Sequence, residues 1–234
     1  MKIFLVGYMG CGKSTLGRKI AKAVGYDFVD MDSKIEEREG ASVADIFHYE
    51  GEEYFRRAER RLMEELAAQD GNMVISTGGG APVWRDNVEF MNRAGKTFYL
   101  RRSARQIASR LSPHGRQKRP KLRGLNDEEL VAFMTENMAE REPYYAKAEY
   151  CIECEQRSDA EIIEIILQHI KDNEQQPHRS LRFGLWWLVG VARVISSPAC
   201  GVVGVFGGRK ELSLWLVDGG ANTPFGRAVG RGAS

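Results

Sequence analysis

Between Lys2 and Val24 the chain passes from an apolar run, KIFLV, through a glycine-rich octapeptide, GYMGCGKS at Gly7–Ser14, into a segment of helical period. No other stretch restricts the fold so tightly. The octapeptide satisfies G-x-x-x-x-G-K-[ST], a pattern that functions where a strand feeds a tight turn opening directly into a helix. Glycines at 7, 10 and 12 let the backbone curl so that successive N–H groups converge, and the helix starting near Lys13 adds the positive end of its dipole. Such a turn is an anion cradle. It puts Lys13 within reach of the β- and γ-phosphates of a nucleotide and the Ser14 hydroxyl in position to ligate Mg²⁺. Cys11 fills a variable position of the loop as a small side chain.

The alternation of short β-like runs and longer helical patterns continues to about residue 172, which predicts an α/β fold: a doubly wound parallel sheet with helices on both faces. Five strands are expected, at Lys2 to Val6, Asp27 to Asp30, Met73 to Thr77, Lys96 to Leu100 and Tyr150 to Glu153, each rich in Val, Ile, Phe or Tyr. Helices are expected over Lys13 to Val24, Glu52 to Ala68 and Arg85 to Ala94. Ser158 and Glu161 form a capping-box pattern before the apolar series Ile162, Ile163, Ile165, Ile166 and Ile170, which closes the domain. Ser112 to Gly124 carries Pro113, Gly115, Pro120 and Gly124 among five basic residues, and reads as a mobile lid.

After Pro177 the polypeptide changes character. Residues 177–234 hold seven Lys and Arg against two Asp and Glu, leaving 27 against 30 in residues 1–176, so the first part is mildly acidic and the tail basic. Eleven glycines and three of the four tryptophans also fall in the tail, without helical or alternating period. Two units follow: a domain over 1–172 and an atypical Gly/Trp/Arg-rich extension over 173–234, read as a segment fused on or translated out of frame, with a partner-binding or oligomerisation segment as the alternative. Its uncharged stretches, Phe183 to Ala192 and Val194 to Gly208, are shorter than the ~18 to 20 residues a spanning helix needs. Arg193 between them would cost ~3 kcal/mol at mid-bilayer, so no membrane partner is expected. One short basic loop on an acidic domain likewise argues against nucleic acid. Four irregularly spaced cysteines suit a reducing cytoplasm, and Cys151 and Cys154, three apart on a strand, face opposite sides rather than one metal. The chain opens into a strand with no h-region or cleavage site, so no export signal is expected.

The acceptor motifs lie further along. Asp30 and Asp32, in VDMDS at the end of the second strand, would project to one side of an extended segment; one could hold Mg²⁺ through water and the other take a hydroxyl proton. A helix cap onto Ser33 is the alternative reading. GEEYFRRAE (Gly51 to Glu59), GGG (Gly78 to Gly80), RP (Arg119 and Pro120) and REPYYAKA (Arg141 to Ala148) follow in order. With this set the sequence resembles shikimate kinase, in the nucleoside monophosphate kinase-like branch of P-loop proteins, over about residues 1–172. The stretch between Arg110 and Arg119 is longer than in common members, and the tail has no counterpart.

The resemblance implies strand order 2-3-1-4-5 and transfer of the γ-phosphoryl of Mg·ATP to the 3-hydroxyl of shikimate, by a cytoplasmic monomer. It implies an ATP site of Gly10, Cys11, Gly12, Lys13, Ser14, Thr15, Arg110, Arg119 and Arg157, with Lys13, Asp32 and Arg119 catalytic. Asp32, Arg56, Gly78, Gly79, Gly80 and Arg141 would bind shikimate, Ser14 and Asp30 would serve Mg²⁺, and Glu59 would support Arg56. The ligand's chemistry agrees: a planar carboxylate suits two arginine forks, and hydroxyls suit an aspartate. A related kinase with a sugar-acid or nucleotide acceptor is the nearest alternative; a GTPase-type switch would need an N-K-x-D segment, which is absent. A chain ending at Asp172 is expected to keep the full chain's turnover and to be the more soluble of the two. Sedimentation and an ADP-release assay on both chains check this, and loss of activity on truncation would make the tail part of the working enzyme.

Overall fold

The computed structural model describes residues 1–112, 116 and 122–174. Along the chain run β1 (Lys2–Val6), α1 (Lys13–Val24), β2 (Asp27–Asp30), α2 (Met31–Glu39), α3 (Val43–Tyr49), α4 (Glu52–Ala68), β3 (Met73–Ser76), a 3₁₀ turn (Ala81–Val83) and α5 (Asn87–Ala94). There follow β4 (Lys96–Arg101), α6 (Ala104–Arg110), α7 (Asp127–Tyr145), β5 (Tyr150–Glu153) and α8 (Asp159–Glu174). The five strands form one sheet in the order β2-β3-β1-β4-β5, and each pairing is parallel. This is the expected α/β topology. Met1–Asp172 make one compact unit.

β1 lies in the middle of the sheet with helices over both faces, so its five residues are all buried and the strand reads as continuous rather than alternating hydrophobicity. α1 covers it with Leu16, Ile20 and Ala21, and α8 covers the sheet with Ile162, Ile166 and Ile170, one stripe at intervals of four. The Ser158–Glu161 capping box is formed: the Ser158 hydroxyl accepts from Glu161 N at 3.3 Å, and Glu161 Oε2 accepts from Ser158 N at 2.7 Å. α7 begins with a second box of the same kind, between Asn126 and Glu129. Among the described residues no helix is long and apolar enough to cross a membrane.

Four features differ from the sequence reading. α5 starts at Asn87 instead of Arg85, because Arg85 takes a left-handed φ of 49° that no helix continues. β4 runs one residue further, to Arg101, and β3 stops at Ser76, although Thr77 still donates to Leu5 O through both its N–H and its hydroxyl. The fourth change matters most. The segment after Asp30 is not extended: α2 begins at Met31, and the Asp30 carboxylate accepts from Ser33 N at 3.3 Å as its cap. Period-two geometry therefore does not align Asp30 with Asp32; a strand end and a helical first turn do. The reading of Ser112 to Gly124 as a lid falls largely outside the described residues, as does that of the tail.

The parallel arrangement places the carboxyl ends of β1, β2 and β3 on one edge of the sheet, where open α/β folds bind ligands. Gly7–Ser14 leave β1 there, Asp30 ends β2, and Ser76–Gly80 leave β3.

Candidate functional site

In the loop after β1, Gly7, Gly10 and Gly12 have φ of 141°, 76° and 105°, conformations closed to most L side chains, and Gly12 caps α1. Lys13 is nearly buried, and its ammonium curls over the loop to donate to Gly7 O at 2.8 Å and Tyr8 O at 3.0 Å. Ser14 stands beside it with its hydroxyl 3.3 Å from that of Ser76, while Thr15 is exposed on the first turn of α1. Gly10 and Cys11 complete the curl, with the Cys11 side chain buried. Ser76 was missed in the sequence; its only signal is its place at the carboxyl end of a strand, just before the glycine run.

Across the sheet edge, α4 contributes a buried charge pair. Arg56 donates through Nη1 to Glu59 Oε2 at 2.5 Å and through Nη2 to Glu52 Oε1 at 3.1 Å, and the rings of Phe47 and Phe55 lie 5.6 and 5.4 Å from its guanidinium. Glu59 is fully buried, and its other oxygen has no hydrogen-bond partner among the described residues. Burial pushes the Glu59 carboxyl up to about 7; Arg56 opposes this and the Asp32 charge adds to it. Burial likewise holds the Asp32 carboxyl above the usual aspartate range, helped by the Asp30 charge and opposed by Lys13 and Arg56. Asp32 thus feels cations from both halves of the site.

Gly78, Gly79 and Gly80 hold these halves together through the room they leave. A Cβ on Gly78 would overlap the Glu59 carboxylate and stand 2.8 Å from Asp32 Oδ1; one on Gly80 would overlap the Arg56 guanidinium. On Gly79 it would meet Met9 N of the phosphate loop at 3.1 Å. Three consecutive residues therefore touch the Glu59 and Asp32 carboxylates, the phosphate loop and the arginine in turn. α7 closes the same corner: the Tyr145 hydroxyl donates to Gly79 O at 2.5 Å, and the Arg141 guanidinium lies 5.6 Å from the ring of Tyr8. Glu142 is fixed by the Tyr99 hydroxyl at 2.5 Å and by Arg101 Nε at 3.2 Å, which steadies the helix end that carries Arg141. Tyr145 was legible only as part of the REPYY motif, not as a tie to the glycine run.

On the far side of the phosphate loop, Arg110 leans on Asp159, Nη2 to Oδ1 3.5 Å, and Arg157 donates to Glu153 O at 2.5 Å. Arg119 lies outside the described residues. Cys151 is exposed and Cys154 buried, as expected of a strand, and burial pushes the Cys154 thiol up to about 12. Among the described residues no group of three His, Cys, Asp or Glu could hold a metal by itself. The oxygens of Ser14, Ser76, Asp30 and Asp32 are a hard but sparse donor set, which suits a Mg²⁺ ion that keeps waters and substrate phosphates.

Residues 9–171 match the family model described as shikimate kinase. A shikimate kinase from Parabacteroides distasonis is 46% identical over 154 residues, 66% of this chain and 88% of that protein. The structure of shikimate kinase from Bacteroides thetaiotaomicron superposes with a TM-score of 0.67 at 40% identity, covering 75% of this chain and 99% of that one. Shikimate kinase from Acinetobacter baumannii in complex with shikimate gives 0.65 at 35% identity, covering 75% and 95%.

The buried carboxyl of Glu59 makes stability depend on pH. With its folded value raised from 4.5 to about 7, the folded protein keeps a proton that the unfolded chain has released. The contribution is complete below 4.5 and is lost as pH rises through about 7. The unfolding free energy of the wild-type chain, from urea titrations, is therefore expected to fall relative to that of Glu59→Gln between pH 4.5 and 7.5, by on the order of 3 kcal/mol. Parallel curves would remove Glu59 as the titrating group.

Proposed function

The chain belongs to the shikimate kinase family, and we infer from it an ATP-dependent kinase that phosphorylates the 3-hydroxyl of shikimate to give shikimate 3-phosphate and ADP. The observation that carries the assignment is the glycine run, whose backbone touches the phosphate loop at Met9 and the Asp32, Glu59 and Arg56 side chains within three residues. A phosphate donor and a carboxylate-bearing acceptor then share one cleft.

Main-chain N–H groups of Gly10 to Thr15, with the α1 dipole, would receive the ATP phosphates, and the Lys13 ammonium would exchange its bonds to Gly7 O and Tyr8 O for β- and γ-phosphate oxygens. Mg²⁺, when bound with ATP, supplies charge neutralisation on the transferring group, and Ser14, backed by Ser76 and by Asp30 through water, fits its donor needs. Arg56 would grip the shikimate carboxylate. Glu59 already holds Nη1, so the Nη2 edge, engaged by the exposed Glu52, is the one an incoming carboxylate would take over. Arg141 would provide the second fork from beside Tyr8. Asp32 would accept the hydroxyl proton, and a carboxylate with a raised affinity for protons is the better base. Arg110, Arg119 and Arg157 complete the proposed ATP side. We propose that the enzyme works in the cytoplasm, on the route to chorismate and the aromatic amino acids.

Shikimate-dependent ADP release from ATP tests the assignment directly. Lys13→Ala is expected to abolish turnover. Asp32→Asn is expected to lower kcat by roughly 10²–10³ while changing ADP affinity less than about twofold; an unchanged kcat would take the base role from Asp32. For Arg141→Lys, KM for shikimate should rise about tenfold with KM for ATP nearly constant, because an ammonium cannot reproduce the fork. Equal losses for both ligands would reject its place on the acceptor.

A further inference from the structure

Outside the residues assigned so far, one charged side chain is more deeply buried than any role above requires. We propose that Arg102 is a positioning residue of the nucleotide site, which fixes the Cys11–Gly12 peptide of the phosphate loop so that the Gly12 N–H faces into the cradle; this rests on the kinase reading. Arg102 follows directly on β4, and its side chain is 1% exposed. Its Nε donates to Cys11 O at 2.9 Å, and its Nη1 donates to Cys154 O at 3.2 Å and to Gln106 Oε1 at 3.3 Å. Nη2 lies 3.7 Å from Asp159 Oδ1 and makes no hydrogen bond among the described residues.

Burying a guanidinium costs several kcal/mol in desolvation, and an apolar side chain of similar length would fill the space without that cost. What an apolar residue could not do is hold a carbonyl. A trans peptide is planar, with its C=O and the following N–H on opposite sides. A donor fixed on Cys11 O from behind therefore directs the Gly12 N–H to the front. The constraint is needed because Gly12, at φ 105°, is a joint with unusual rotational freedom. The cation also polarises the peptide it touches, which makes the opposite N–H a better donor to phosphate. The same guanidinium holds Cys154 O at the end of β5, where the chain turns toward Arg157 and Asp159. Asp159 in turn receives Lys19 of α1 at 3.0 Å and Arg110 of α6 at 3.5 Å. One side chain thus ties the phosphate loop to the segment that leads to Arg157, proposed for the ATP side, without touching the ligand itself.

The test uses the full chain with Arg102→Met and Arg102→Lys. Wild type and variants are compared by KM for ATP and for shikimate, by calorimetric ADP binding, and by the Gly12 amide shift on adding ADP. Arg102→Met is expected to raise KM for ATP and Kd for ADP about tenfold, the loss of one charge-assisted contact, with KM for shikimate within about twofold. The Gly12 amide should shift less on ADP binding than in the wild type. Arg102→Lys should restore part of the loss, since an ammonium can serve Cys11 O but not three partners at once. A KM for ATP within about twofold of wild type in Arg102→Met, or a parallel rise in both KM values, would overturn the role. If Arg102→Met does not fold, Arg102→Lys decides, with a rise in KM for ATP of about threefold expected and an unchanged value contradicting. Wild-type chain without shikimate-dependent ADP release would instead defeat the kinase reading; active wild type with unaltered Arg102 variants defeats only the positioning role.

Discussion

The site depends on how closely a backbone can approach side chains. At Gly78, Gly79 and Gly80 the chain passes where any Cβ would press on Glu59 and Asp32, on the phosphate loop at Met9, or on Arg56. None of the three has a left-handed φ, so the requirement is for room and not for an unusual conformation. Parallel strand order brings the ends of β1, β2 and β3 to one edge, and the absence of three side chains lets what those ends carry come into contact. The Tyr145 hydroxyl on Gly79 O then locks α7, with Arg141, against the same spot.

Electrostatics in the cleft follow from this crowding. Asp32 and Glu59 are two carboxyls drawn out of water beside Gly78, and Arg56 cannot fully neutralise both. A buried pair of this kind adds little to stability and is sensitive to loss of either partner. It does produce a guanidinium with one edge fixed by Glu59 and the other open to exchange at Glu52, and a carboxyl at Asp32 that holds a proton more readily than usual. The first suits recognition of a planar acid, and the second suits proton removal from an alcohol.

The sheet was legible because its strands are short, β-branched and bounded by turn residues, and the phosphate loop because its pattern sits between a strand and a helix. Asp32, Arg56 and Arg141, proposed for the acceptor, were legible as motifs, and the structure brings their surroundings to one edge of the sheet. What failed was local geometry. Asp30 and Asp32 read as alternating strand positions, yet an aspartate followed three residues later by a serine N–H is also a helix cap, and packing of Met31 and Ile35 decided for the helix. Ser76, Tyr145 and Arg102 act through partners 62 to 91 residues away, and no periodicity in a single sequence encodes such contacts. A buried arginine right after an exposed one on β4 looks like any charged strand end.

Replacing Gly79 by alanine is the most direct probe of this junction, because the new Cβ would press on Met9 N, at 3.1 Å, without touching Asp32 or Arg56. Measured separately, ADP and shikimate should each bind within about threefold of wild type, while kcat falls by roughly 10²-fold as the two reactants are held out of line. A Gly79→Ala enzyme that turns over at the wild-type rate would contradict the claim that close packing of this run against the phosphate loop aligns donor and acceptor.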